Sequence, residues 1–465
     1  MLKLTKHLIG VSMILLLVAA CAAQPAAPTS VPATPTPTVP APTPESAPAS
    51  IAAAEKLLAQ FVQQDYAGII GRFDAAMTTA LPPDKLKQAW ESVSQQFGAY
   101  QSATDAQFIA HIDQYDVILI TVKFEKGALG FRVSVDTTRD QIGGLQFVPA
   151  DNAANTPYTV PAYVDQSKFE EQDVTIGTGE WQLPGTLTLP QGAGPFAAVV
   201  LVHGSGPNDR DETILVNRPF KDLAWGLASQ GLAVLRYDKR TKVYAEKMAA
   251  LTTLTVKEET IDDAVAAVEL LRQTPDIDPQ RVFVLGHSLG GYLAPRIGQA
   301  DSAMAGLIIL AGATRPLEDL MLEQVQYIAS LDKSAVPQAT LTELPQQVNA
   351  VKALRPGDEA KPPILGVPTA YWLDLQGYRP AELAKSLAVP MLILQGERDY
   401  QVTLQDFKNW QVALTGRSTA QLKTYTDLNH LFMTGSGQSA PQEYQRPGHV
   451  AAVVIDDIAA WVKQH

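Results

Sequence analysis

The residue pattern best suited to chemistry in this chain is Arg281 to Gly291, RVFVLGHSLGG, in which a serine stands between two glycines. Val282, Phe283, Val284 and Leu285 form a short apolar run, as expected of a strand buried on both faces of a parallel sheet. Gly286-His287-Ser288-Leu289-Gly290 then matches G-x-S-x-G, where the glycines relieve crowding around a strained serine backbone and leave its hydroxyl exposed. Ser288 is therefore the candidate nucleophile. The Leu289 N–H beside it is the candidate for one half of an oxyanion hole.

The other half is expected upstream. Phe196 to Val202 (FAAVVLV) reads as a second buried strand and runs into His203-Gly204-Ser205-Gly206-Pro207, a turn whose backbone N–H groups can face a ligand. The Ser205 N–H is assigned as the second donor. A general base must be a histidine, and elimination leaves two. His7 lies in the leader, His111 in a separate N-terminal segment, His203 and His287 inside the two loops already assigned, and His465 is the last residue. Of His430 and His449, His430 is preferred because it follows the strand-like Ala420 to Tyr425, in the loop DLNHLF just past a strand end. Val389 to Leu394 is another strand, and Asp399 falls in the QGERD loop that closes it, making it the candidate orienting acid. Glu397 is too close to the strand, and Asp406 reads as the surface of the next helix.

From about Glu171 to the end, with HGSGP, GHSLGG, LQGERD and LNHLF in order, the chain resembles an α/β-hydrolase of the bacterial serine esterase (carboxylesterase) type. The resemblance implies a mostly parallel eight-stranded sheet flanked by helices, with a triad in the order Ser288, Asp399, His430. It also implies hydrolysis of carboxylic esters, small or short-acyl, through an acyl-enzyme. No metal and no organic cofactor is called for. Arg236-Tyr237-Asp238-Lys239-Arg240 resembles the D-x-R element after the fourth strand of this fold, expected to be structural, with Asp238 paired to Arg240. Two rival readings are a serine peptidase of the prolyl oligopeptidase type and a non-catalytic surface binding lipoprotein. The first, with a propeller gate, would need repeats of about 40 residues, for which the N-terminal segment is too short, while a shorter capped peptidase stays open; the second has no chemical need for all these groups.

The elements that must position these groups follow. The hydrolase region, 171–465, opens with strands at Val174 to Ile176 and Thr186 to Leu189 around a turn at Gly177 to Glu180. Between the strands Gly306 to Leu310 and Val389 to Leu394 lies an insertion, about 313–388, much longer than an ordinary connection. Its helical runs, Leu317 to Ser330 and Leu341 to Leu354, suggest a cap over the site. Tyr371 and Trp372 are candidate pocket walls. Residues 51–150 read as a small α+β domain, with helices at Ala52 to Gln63 and Pro83 to Phe97 and strands at Asp116 to Lys123, Gly130 to Val135 and Gln141 to Phe147. No catalytic constellation occurs there; Trp90 and Tyr100 read as core. A polar linker, 151–170, joins the two domains.

At 465 residues and 46% hydrophobic content the chain can bury two cores. A net charge of -12 argues against binding nucleic acid or anionic lipid through a basic surface. The single cysteine, Cys21, excludes an intrachain disulfide and a thiol-rich metal cluster. It ends Val18-Ala19-Ala20-Cys21, after two lysines and an apolar run too short for an ordinary membrane span. This resembles a lipoprotein signal peptide, residues 1–20, with Cys21 lipidated after cleavage. Residues 21–50, almost wholly Ala, Pro, Thr and Ser, form an extended spacer. The expected partners are thus a small-molecule ester and, through the lipid, a bacterial membrane facing outside the cytoplasm.

Overall fold

The computed structural model describes residues 47–465 apart from 75–76, 79–80, 113, 140, 150–157 and 334. The leader, Cys21 and most of the spacer lie outside the described residues. Contacts divide the chain into a unit within Gln24–Tyr158 and a unit spanning Thr159–His465.

In the first unit the helices Ala47–Val62, Tyr66–Ile70 and Pro83–Phe97 precede five strands, β1 (Tyr100–Ala103), β2 (Gln107–Ile112), β3 (Tyr115–Phe124), β4 (Gly127–Asp136) and β5 (Gln141–Pro149). β3 and β4 form a hairpin across Glu125 and Lys126. β1 and β2 both pair with β3, and β5 pairs with β4, all antiparallel. Leu57 and Phe61, four residues apart on one helix face, meet Trp90 and the β4 residues Phe131 and Val133 in one core. Full burial of a side chain such as Phe61 stabilises by about 1.5–3 kcal/mol. The sequence did not announce β1, because three of its four residues are exposed and carry no alternation.

The second unit is built on eight strands: β6 (Phe169–Ile176), β7 (Leu183–Pro190), β8 (Phe196–Val202), β9 (Ala233–Tyr237), β10 (Ile277–His287), β11 (Gly306–Leu310), β12 (Met391–Gly396) and β13 (Ala420–Tyr425). Their order across the sheet is β13-β12-β11-β10-β8-β9-β7-β6. β6 and β7 are antiparallel to their neighbours and the remaining pairs are parallel. Every residue of β11 and β12 is buried, which explains their unbroken apolar runs. β6, at the edge, is mostly exposed, so only its end was legible. Because β8, β10, β12 and β13 are parallel, the loops leaving their carboxyl ends converge on one edge of the sheet, where open α/β sheets bind ligands.

Between β11 and β12 the described residues form the helices Leu317–Leu331, Gln338–Ala353, Thr369–Leu375 and Pro380–Ser386, the first two at the helical runs read from the sequence. Asp238 and Arg240 are not paired with each other. Asp238 accepts from the Arg210 backbone N–H at 2.8 Å and from its Nη2 at 3.0 Å, whereas Arg240 Nε donates to Asp263 Oδ2 at 3.0 Å. Each thus ties the end of β9 to a different segment.

Candidate active site

β10 ends at His287 and the helix Leu289–Ala300 begins at once, leaving Ser288 alone in the turn with φ 52° and ψ -112°. A non-glycine residue there is strained by about 1–3 kcal/mol and persists only if its surroundings hold it. Two bonds do so: the Ser288 N–H donates to Leu310 O at 2.9 Å, and Ser288 O accepts from the Tyr292 N–H at 2.8 Å. A Cβ at Gly286 would collide with Gly290 O, and one at Gly290 would collide with Val202 O. The glycines of the motif are therefore required by close backbone approach. Leu289 opens the helix, so its N–H has no carbonyl one turn back to bond.

His430 and Asp399 meet across the ends of β13 and β12. His430 Nδ1 lies 2.7 Å from Asp399 Oδ2, and both residues are buried. A carboxylate only accepts, so Nδ1 carries the proton and Nε2 is left as an acceptor. Asp399 is itself fixed. Its Oδ1 accepts the N–H groups of Gln401 at 2.8 Å and Val402 at 3.0 Å, and its Oδ2 accepts Gln395 Nε2 at 3.0 Å. Ser288, His430 and Ser205 line one cavity of about 350 Å³. Gly204 lines it too, but its N–H already donates to Glu212 Oε1 at 2.6 Å.

The rivals stand elsewhere. His449 pairs through Nδ1 with Asp222 Oδ1 at 3.0 Å and is absent from the cavity lining. Glu397 is exposed and accepts from the Thr424 hydroxyl at 2.7 Å. Asp406, expected on a helix surface, is fully buried instead. It accepts the Thr314 N–H at 2.8 Å and Arg315 Nη2 at 2.7 Å, and so anchors the start of the cap. Tyr371 and Trp372, expected as pocket walls, do not line the cavity. Both are buried, with Tyr371 Oη donating to Glu259 Oε2 at 2.7 Å and Trp372 Nε1 donating to Ile364 O at 2.8 Å. The roof comes from two other helices. Met321, Gln324, Val325 and Ile328 form one face of Leu317–Leu331, and Thr340, Glu343, Leu344 and Gln347 form one face of Gln338–Ala353, each set spaced i, i+3, i+4, i+7.

Sequence reading missed a buried charge pair beneath the nucleophile. His287 Nε2 lies 3.0 Å from His430 O, so that nitrogen must be a donor. Its Nδ1 lies 2.9 Å from Glu212 Oε2, in an alignment too poor for a good hydrogen bond. Burial disfavours charge on both groups, yet their mutual attraction outweighs it: the His287 imidazole is raised and the Glu212 carboxyl lowered from their usual values. Each group thus favours the charged form of the other. His203, on the neighbouring loop, is pushed by burial down to about 4 and is neutral. The only sequence signal for Glu212 is its place in the NDRDE run just after the HGSGP turn.

A family model described as serine aminopeptidase, S33, matches residues 193–436, and one described as a protein of unknown function, DUF3887, matches residues 54–145. Esterase EstD of Thermotoga maritima is 42% identical over 386 residues, covering 82% of this chain and 88% of that protein. Among solved structures, an esterase of Pyrococcus furiosus is 18% identical with a TM-score of 0.41, over 67% of this chain and 97% of that one. An acylaminoacyl peptidase of Pyrococcus horikoshii is 15% identical with a TM-score of 0.38, over 69% of this chain and 44% of that one. By the match over residues 193–436 and by its likeness to Esterase EstD over most of its length, the chain belongs to the α/β-hydrolase family matched as serine aminopeptidase S33, and is an esterase-type hydrolase with a DUF3887 domain ahead of its hydrolase unit.

Proposed function

We propose that the protein hydrolyses carboxylic esters with short acyl groups by a Ser288–His430–Asp399 triad. The observation that carries the reading is the 2.7 Å contact of His430 Nδ1 with Asp399 Oδ2 in a residue that shares a cavity with Ser288. His430 Nε2 takes the Ser288 proton as Oγ attacks the ester carbonyl, and the Ser205 and Leu289 N–H groups receive the oxyanion. His430 then returns the proton to the leaving alcohol, and the acyl group stays on Ser288. Water, deprotonated by His430, attacks that ester; the acid leaves and Ser288 regains its proton. Asp399 holds the imidazole in the productive tautomer. A cavity of 350 Å³ is at the small end of ligand sites, and the apolar Met321, Val325, Ile328 and Leu344 favour a short, uncharged acyl group.

An aminopeptidase reading is favoured by the family description and by Glu343, a lining carboxylate able to accept a substrate ammonium. A panel of p-nitrophenyl esters of graded length, run beside aminoacyl anilides, separates the two. Turnover of esters well above anilides, with covalent fluorophosphonate labelling lost in Ser288→Ala, is the expected result; faster anilide turnover that Glu343→Gln abolishes supports the peptidase. The proposal extends to location: Cys21 carries a lipid that holds the mature protein at a membrane outside the cytoplasm. Cys21→Ser should lose fatty-acid labelling and leave ester hydrolysis intact. Labelling that persists sinks the anchor.

A further inference from the structure

Gly204 is held on both sides by buried charge. Its N–H donates to Glu212 Oε1 at 2.6 Å, and its carbonyl accepts from the Lys239 ammonium at 2.9 Å. Lys239 is only 2% exposed, and its ammonium also donates to Glu259 Oε1 at 2.6 Å. Glu259 Oε2 in turn accepts from the Tyr371 hydroxyl, 2.7 Å away on a cap helix. Burial, reinforced by the Glu259 carboxylate, pushes the Tyr371 phenol well above its usual value, so it stays a donor. A buried ammonium is costly unless paired and hydrogen-bonded. Here one of its bonds goes to a loop carbonyl.

That carbonyl matters because Gly204 C=O and the Ser205 N–H belong to one peptide group. The peptide is trans, and its planarity sets the N–H opposite the C=O. An ammonium bonded to the carbonyl therefore holds the Ser205 N–H on the opposite side of the peptide, and Gly204, Ser205 and Ser288 all line the cavity. A charged donor on the oxygen also draws electron density from the amide and makes its N–H a stronger donor. Glycine at 204 offers little resistance of its own to rotation of this peptide. Asn208 Nδ2, 3.2 Å from the same carbonyl, is a weaker neutral support.

We propose that Lys239 is a positioning residue for the oxyanion site, setting and polarising the Ser205 N–H through the Gly204 carbonyl, with Glu259 and Tyr371 tying that setting to the cap. This rests on the esterase reading above, in which the Ser205 N–H receives the oxyanion. Lys239 is not among the residues that line the cavity. Its effect should therefore fall on the transition state and spare ground-state binding.

Lys239→Met removes the charge and keeps much of the stem. Its kcat on p-nitrophenyl acetate is expected to fall by about 10² to 10³, the loss typical of one oxyanion donor, with KM changed less than about twofold. Affinity for an aryl trifluoromethyl ketone, whose adduct with Ser288 carries an oxyanion, should fall by the same factor. Lys239→Met leaves Glu259 buried without its counter-charge, so Lys239→Met/Glu259→Gln, neutral and of similar shape, is measured beside it and should lose the same two quantities. Tyr371→Phe keeps both charges and should lower kcat by about twofold to tenfold with KM unchanged. A folded Lys239 variant with undiminished kcat, or one that loses kcat without losing ketone affinity, overturns the proposal. If neither Lys239 variant folds, full kcat in Tyr371→Phe overturns it. Failure of the underlying reading is distinct: wild-type Ser288 would then not be labelled by a fluorophosphonate, or the wild type would turn over aminoacyl anilides faster than esters.

Discussion

The hydrolase unit contains two histidine–aspartate pairs with similar local geometry and different surroundings. His430 Nδ1 meets Asp399 at 2.7 Å, and His449 Nδ1 meets Asp222 at 3.0 Å. The second nitrogen separates them. That of His430 is left as an acceptor in a residue lining the cavity with Ser288, whereas His449 Nε2 contacts the Thr159 hydroxyl at 3.0 Å. Asp222 also accepts the Val450 N–H at 2.9 Å, so the His449 pair joins chain segments. A third pair, His287 with Glu212, has both nitrogens engaged and braces the loops around the serine. On the proposed reading, the imidazole that serves as base is the one that shares a cavity with Ser288 and whose second nitrogen is not committed to joining chain segments.

This contrast can be broken most forcefully at the nucleophile and base. Ser288→Ala and His430→Ala should each lower kcat by roughly 10⁴ to 10⁶, and the double variant should be little worse than either alone. Steady-state kinetics on a p-nitrophenyl ester decides it; strictly multiplying losses would mean the two do not act as a unit. Asp399→Ala comes next, with an expected loss of about 10³ to 10⁴, since the acid orients the imidazole without touching substrate. A loss under tenfold would show that the Gln395 and backbone contacts suffice without it.

The bracing pair is sharpened by pH. His287 is raised, so its stabilising contribution is full below the unfolded histidine value of about 6.5 and is lost as pH rises through the higher folded value. Glu212 is lowered, so its contribution is full above about 4.3 and is lost as pH falls through the lower folded value. Glu212→Gln should thus cost about 3 kcal/mol between about pH 4.3 and 6.5, and less at alkaline pH. Urea unfolding of both proteins at the two pH values measures this, and a pH-independent difference would refute the ion pair. The smallest effect belongs to His449→Ala: kcat within about twofold of wild type, and a stability loss of about 1 kcal/mol. Abolished turnover there would transfer the base from His430 to His449.

Legibility from sequence followed burial and backbone constraint. β8 and β11 were readable because strands covered on both faces need uninterrupted apolar residues, and Ser288 because its strained turn admits only glycine at 286 and 290. Asp399 and His430 could be ranked above Asp406 and His449 from their places at strand ends. What escaped was long-range charge pairing. Nothing in local spacing indicates that Lys239 meets Glu259, that Asp238 meets Arg210, or that Asp406 is buried under Arg315. Such partners are fixed by how loops cross in space. Tyr371 and Trp372 misled for a related reason: an aromatic pair in a cap has the same composition whether it walls a pocket or fills a core.

The two roof helices give the cavity its ceiling through single faces, and neither supplies Ser288, Asp399 or His430. On the proposed reading, the residues that roof the acyl site and the residues of the triad thus come from separate parts of the polypeptide. Substitutions at Val325, Ile328 or Leu344 are therefore expected to change which acyl groups fit while leaving the surroundings of Ser288, Asp399 and His430 in place.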